Sequence, residues 1–103
     1  MFIVVYCTIP KDDAKTLANL LVKNSLAACV NIIDEVNSVF LWQGEIKEEK
    51  ESLLIIKTKQ DVFKQLEIFI TKNHPYDVPE IIALPIVNAN LDYLNWLDDS
   101  VKE

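Results

Sequence analysis

One cysteine, the single histidine and a short acidic loop are the groups in this chain best suited to chemistry. Cys7 ends the apolar run FIVVYCT, and His74 opens HPYDVPE, the segment that carries Tyr76, Asp77 and Glu80. Thiolate and imidazole suit copper or zinc. With two cysteines, no CxxC and one histidine, a single chain cannot assemble a four-ligand structural zinc site. A metal site at Cys7 and His74 is therefore of low coordination, helped by carboxylates, or shared between chains. The same residues also have a structural reading, as a buried thiol and a packed imidazole. As a nucleophilic pair they lack an assignable acid to orient the imidazole, and Asp77 and Glu80 serve a turn equally well. No enzymatic activity is expected.

Four further residues invite a functional reading. Cys29 reads as a small buried hydrophobe or as a cleft residue. Trp42 precedes Gln43-Gly44 and suits either an interface anchor or a surface for stacking a ligand. Glu51 and Lys57 form a solvated pair or contact an anionic ligand.

The elements that must position these groups follow from pattern. The 103 residues, half of them hydrophobic, read as one domain over 1–103. A formal net charge of −6 and an isoelectric point near 4.7 argue against nucleic-acid binding, which needs clustered Lys and Arg. No apolar run reaches the roughly 18 residues of a membrane span. The opening MFIVVYCTIP has no basic region of the kind that starts a secretory signal. The expectation is a cytoplasmic chain with reduced thiols, no membrane partner and no organic cofactor.

Phe2 to Thr8 predicts a strand ended by Pro10. Asp12 to Asn24 predicts a helix, with Ala14, Leu17, Ala18 and Leu21 on one stripe. Cys29 to Trp42 and Glu45 to Thr58 then read as the two arms of one long hairpin about the Gln43-Gly44 turn. At roughly 3.3 Å per residue each arm spans on the order of 45 Å, more than the roughly 30–35 Å breadth of a domain this size. The tip is expected to reach a neighbouring subunit. Val36, Ser38, Phe40 and Trp42 share one face of the first arm, Val39 and Leu41 the other. In the second arm KEEKE (Lys47 to Glu51) is expected to be solvated and LLII (Leu53 to Ile56) buried on both faces. TKQD (Thr58 to Asp61) resembles a helix capping box ahead of a second helix that Pro75 ends. Glu80 to Val87 predicts a fourth strand, placed at a sheet edge by Pro85. Asn90 is set to cap a last helix bearing Leu91, Leu94, Leu97 and Val101.

The order βαββαβ plus a terminal helix predicts an α+β, ferredoxin-like sandwich with strand order 4-1-3-2. Taking the third strand as parallel to the first, the ends carrying Cys7, Thr8, Lys57 and Thr58 gather at one edge, with Cys29 and the His74–Glu80 segment. Cys7 and Cys29 then lie about two strand spacings apart, roughly 9.5 Å, beyond the roughly 7 Å of a disulfide. The first, third and fourth strands are apolar on both faces, yet two helices cover only one. The terminal helix or other subunits must cover the second, so an obligate oligomer is expected.

The motifs YCT-x-P (Tyr6 to Pro10), LAACVN (Leu26 to Asn31), S-x-F-x-W-x-G (Ser38 to Gly44), IKT (Ile56 to Thr58), HPY-x-VPEII (His74 to Ile82) and DYL-x-WL (Asp92 to Leu97) run through nearly the whole chain. Together they resemble the CutA family, named for divalent-cation tolerance. The resemblance implies a ferredoxin-like subunit in a homotrimer, similar in architecture to the PII signalling proteins. It implies a link to tolerance of copper or another divalent metal, with family copper ligation matching Cys7 and His74. Asn73 stands where some members carry a second histidine, and Asn90 where glycine is frequent. The PII likeness implies clefts between subunits, for which Cys7, Cys29, Trp42, Glu51, Lys57, His74, Tyr76 and Glu80 are the candidates. Three functions follow as expectations. One is a trimeric metal-responsive protein holding Cu²⁺ or a similar ion near Cys7 and His74. The second is a PII-like module taking a small anion or partner segment through Lys57 and Trp42. The third is a scaffolding trimer.

Overall fold

Alternation in the first strand sets the whole layout. In β1 (Phe2–Ile9) the odd residues Ile3, Val5, Cys7 and Ile9 are buried and the even ones are half-buried, the period-two signature of a strand. The computed structural model describes residues 1–101. Next come α1 (Lys11–Lys23), β2 (Cys29–Trp42), β3 (Glu45–Lys59), a short 3-10 turn at Gln60–Val62, α2 (Phe63–Asn73), β4 (Ile82–Pro85) and α3 (Leu91–Ser100). The strands form one sheet in the order β2-β3-β1-β4, as predicted.

The buried side of β1 and β3 meets the apolar stripes of two helices. Ala14, Leu17 and Leu21 of α1 and Leu66 and Ile70 of α2 pack on Ile3, Val5, Cys7, Leu54 and Ile56. Asp12 and Asp13 lie in the first turn of α1 and Lys23 in its last, each complementing the helix dipole. Ser25 at φ 58 turns the chain out of α1.

The second sheet face is only partly covered. Leu97 and Val101 join Ala28, Val62 and Phe2 in a small separate cluster, and Lys59 Nζ meets Asp98 Oδ1 at 3.0 Å. Beyond that end, Ile82 and Leu84 remain exposed. They pair with Tyr6 and Val4 of β1, which pair in turn with Ile55 and Lys57 of β3. Asn90 caps α3 by accepting from the Tyr93 N–H, as its side chain allows.

The hairpin stands out along the longest dimension of a 45 × 25 × 22 Å molecule. Its arms are joined by Gln43-Gly44, both in the left-handed region, at φ 51 and 82. Between Ile33 and Val36 the register shifts: one extra residue of β2 forms a bulge opposite Ser52, whose hydroxyl donates to the Asp34 carbonyl at 2.7 Å. A bulge reverses which residues face which side. Before it, odd residues of β2 pair with odd residues of β3; after it, Val36, Ser38, Phe40 and Trp42 pair with Glu51, Glu49, Lys47 and Glu45. The bulge thus carries the aromatic face of β2 round to the helix-free side of the sheet.

Four expectations need correction. β3 runs antiparallel to β1, with Cys7 opposite Leu54 and Val4 opposite Lys57. The reason is the crossover: α1 returns β2 parallel to β1, and the tight turn then reverses β3. Lys57, Thr58 and Cys29 therefore lie at the other end of the sheet from Cys7 and Thr8. Thr58 is no cap: β3 continues through it, and its buried hydroxyl donates to the Leu26 carbonyl at 2.7 Å. Glu51 is buried rather than solvated, since it sits where the hairpin joins the sheet. β4 is shorter than the predicted Glu80–Val87 segment.

Candidate functional site

Pro75 ends α2, and the residue before it, His74, is extended at φ −107, ψ 138. That turns the imidazole back over the end of β1. His74 is 8% exposed. Its Nδ1 accepts the Tyr76 N–H at 3.1 Å, so that nitrogen carries no proton and Nε2 does. Nε2 donates to the Thr8 carbonyl at 2.8 Å. Cys7 donates its thiol hydrogen to the same carbonyl at 3.6 Å. Cys7 and His74 therefore do meet, around one backbone oxygen.

Their state there is that of structural groups. Cys7 lies on the helix-facing side of β1 and is 0% exposed. Burial, then the charges of Glu80 and Glu51, push its thiol up to about 12, so the thiolate a metal needs is strongly disfavoured. Both His74 nitrogens are already used. Among the described residues no three His, Cys, Asp or Glu side chains are placed to hold an ion. As they stand, Cys7 and His74 do not fit a copper site.

On the opposite face, a cleft of about 770 Å³ opens between the hairpin and the loop after His74. Its floor is the bulge-turned face of the hairpin: Ser38, Phe40 and Trp42 from β2, Lys47, Glu49 and Glu51 from β3. Its wall is Tyr76, Asp77, Val78 and Glu80, and Thr8 lies at its inner end. Tyr76 stacks at a tilt on His74, centroids 4.8 Å apart, and its hydroxyl donates to Glu51 Oε2 at 2.8 Å. Glu51 is only 5% exposed. Burial first, and then the charge of Glu51, raise the Glu80 carboxyl above its ordinary range.

The predicted site residues thus fall into three groups. Trp42, Glu51, Tyr76 and Glu80 line the cleft; Cys7 and His74 hold its inner end from the core side; Cys29 and Lys57 belong elsewhere. Those two are cross-strand partners at the far end of the sheet, where both approach Asn31 Oδ1, Lys57 by donating its ammonium and Cys29 at 3.8 Å. Both cysteines are free thiols; Cys29 is half-exposed rather than buried. Tyr93 of α3 is raised there by burial and by Cys29. Sequence reasoning missed Glu49, Lys47 and Phe40 as cleft residues. The signal was present: pairing Trp42 with Glu45 across a two-residue turn forces Phe40 opposite Lys47 and Ser38 opposite Glu49.

A family profile described as CutA1 divalent ion tolerance protein matches residues 3–100. A relative named Protein CutA 1, chloroplastic, from Oryza sativa subsp. japonica is 48% identical over 102 residues, which is 98% of this chain and 58% of the relative. This chain thus spans little more than half the length of that relative, and 56% of a similar Arabidopsis thaliana protein. The Divalent-cation tolerance protein CutA of Thermus thermophilus is 46% identical over 98 residues, covering 94% of this chain and 95% of its own. Among solved structures, the divalent cation tolerance protein from Thermus thermophilus superposes with a TM-score of 0.97 at 45% identity, covering 99% of this chain and 100% of that one. CutA1 from Oryza sativa superposes at 0.96 with 48% identity, over 99% of this chain and 94% of that one.

Proposed function

This chain belongs to the CutA1 divalent ion tolerance family, and from that membership we propose that it acts in divalent-cation tolerance by binding, with the cleft under the hairpin as its working site. The observation that carries the reading is the convergence of Glu51 and Glu80 on that cleft. Glu51 is almost wholly buried and its charge opposes ionisation of Glu80. A divalent cation between two carboxylates that repel one another is favoured by both. Oxygen donors of this kind suit hard and borderline ions. The ion would lie near Cys7 and His74, as the motifs suggest, but on the other side of the Thr8 backbone. Cys7 and His74 are then supports of the site rather than its ligands.

One chain supplies only part of a coordination shell, and we place the completed protein as a homotrimer. Two surfaces support this. Ile82 and Leu84 are exposed on the open sheet face, and Leu41 and Ile46 at the hairpin tip are 71% and 77% exposed. The two patches lie on opposite faces of the sheet, and exposed apolar patches on a soluble chain mark contacts with other chains.

Calorimetric titration of Mn²⁺, Zn²⁺ and Cu²⁺ into three proteins tests the assignment: wild type, Glu51→Gln/Glu80→Gln and Cys7→Ser/His74→Gln. The carboxylate variant is expected to lose binding and the second variant to retain it. The reverse result restores the thiol–imidazole site. Sedimentation equilibrium tests the assembly; a folded single chain at micromolar concentration would sink the trimer.

A further inference from the structure

A bare ion uses little of a cleft of about 770 Å³, a volume within the range of small-molecule pockets. The charge in it is also sorted along its length. Rows two residues apart on the hairpin are separated by about 6.8 Å. Walking outward from the sheet, β3 presents Glu51, then Glu49, then Lys47, while β2 presents Val36, Ser38 and Phe40 opposite them. Glu80 and Asp77 of the loop add to the cleft's acidic lining. The outer end carries Phe40 and Trp42, and Lys47 there already faces Glu45 at 3.8 Å. Acid and aromatic ends are thus roughly 7–13 Å apart along the floor.

Glu51 supplies the second observation. It is 95% buried, being 5% exposed, and lines the cleft. Among the described residues it belongs to no ion pair. Its hydrogen-bond donor is Tyr76, which engages Oε2 alone. A buried carboxylate without a counter-ion is costly unless a cation is supplied from outside.

We infer that the cleft binds a small organic amine with an apolar body, its ammonium seated against Glu51 and Glu49 and its body laid over Phe40 and Trp42. The inference rests on the reading of this cleft as the working site, and it names the ligand class as an organic cation. Ammonium groups pair with carboxylates through charge-assisted hydrogen bonds and are attracted to aromatic faces. The acidic lining disfavours the small anion that a PII-like role through Lys57 requires, and Lys57 lies at the other end of the sheet.

The test is calorimetric titration of the full chain in its native assembly with hexylammonium and 2-phenylethylammonium, against hexanol and hexanoate as matched controls. The two amines are expected to bind, and the neutral and anionic controls to give no measurable binding. Glu51→Gln is isosteric and can still accept from Tyr76; it should weaken the amines by on the order of tenfold. Phe40→Ala should weaken hexylammonium by roughly threefold or more while leaving methylammonium unchanged. Far-UV circular dichroism checks that each variant is folded, and Glu49→Gln replaces Glu51→Gln if that protein does not fold. Absence of amine binding, equal binding of hexanol, or undiminished binding by the carboxylate variants overturns the inference. Mn²⁺ is titrated in parallel. Cation binding without amine binding refutes this inference and leaves the cation reading standing; amine binding without cation binding does the opposite.

Discussion

The hydroxyl of Tyr76 donates to Glu51 Oε2 at 2.8 Å, and through that bond the loop after α2 is fastened to the base of the hairpin. The two residues are 25 positions apart in sequence and come from different elements. Tyr76 is pushed up to about 12, first by burial and then by its bond to Glu51. Its folded-state value exceeds the ordinary 10.0, so the stabilisation is complete below that pH and is lost as pH rises towards 12. Tyr76→Phe removes the donor and leaves the Glu51 charge unbonded. Urea denaturation at neutral pH should show a loss of about 1–2 kcal/mol, and an unchanged midpoint would remove this bond from the account of the loop.

Glu80 has the opposite consequence for neutral pH. Its carboxyl is raised by burial and by Glu51, so the folded state holds the proton more tightly than the unfolded chain does. The contribution is fully present below the ordinary value of 4.5 and disappears as pH rises through the higher folded value. Ionised Glu80 therefore opposes folding at neutral pH. Glu80→Gln is expected to melt at a higher temperature than wild type at about pH 7–8, with the difference closing towards about pH 4. A variant less stable than wild type at neutral pH would mean that the carboxylate makes a favourable contact in the folded chain.

Cys7 is expected to behave as a core residue. Its thiol is wholly buried and pushed up to about 12, so in the native protein it should resist iodoacetamide at neutral pH and react once the chain is unfolded. Cys7→Ser puts a more strongly polar hydroxyl among Val5, Ile9 and Leu54 and should cost about 1–3 kcal/mol. Native-state alkylation counted by intact mass decides the first point. Rapid labelling at Cys7 would show a thiolate available for metal after all.

Most of the architecture is legible because it rests on local periodicity. Ala14, Leu17, Ala18 and Leu21 mark α1, alternation marks β1, and Gln43-Gly44 marks the hairpin turn. The direction of β3 is equally implied by the α1 crossover, which lays β2 parallel to β1, together with the turn that reverses β3; a β3 parallel to β1, which would put Lys57 and Cys29 with Cys7, is incompatible with the two together. The bulge opposite Ser52 is a different matter. No glycine or proline announces it, and it is held by a contact between Ser52 and the Asp34 carbonyl that exists only once the two arms are paired. The burial of Glu51 depends on that bulge and on Tyr76 arriving from another element, so KEEKE reads as solvated until the chain is folded. That Cys7 and His74 lie close follows from their positions in the chain; that the single Thr8 carbonyl engages both does not.

The turn offers a test of backbone conformation free of packing. Gln43 and Gly44 both have positive φ, 51 and 82, the pattern of a type I′ hairpin turn, in which Asn-Gly is the favoured pair. A side chain at Gly44 would meet no atom within 4 Å, so Gly44→Ala isolates the cost of left-handed backbone for a residue with a Cβ, about 1–2 kcal/mol. Gln43→Asn replaces a long side chain with one that tolerates this region and should raise stability by about 0.5 kcal/mol. Thermal melts of the two variants are expected to move in opposite directions. If Gly44→Ala melts with wild type, the turn has another conformation in solution, and the pairing of Trp42 with Glu45 loses the anchor that sets the cleft floor.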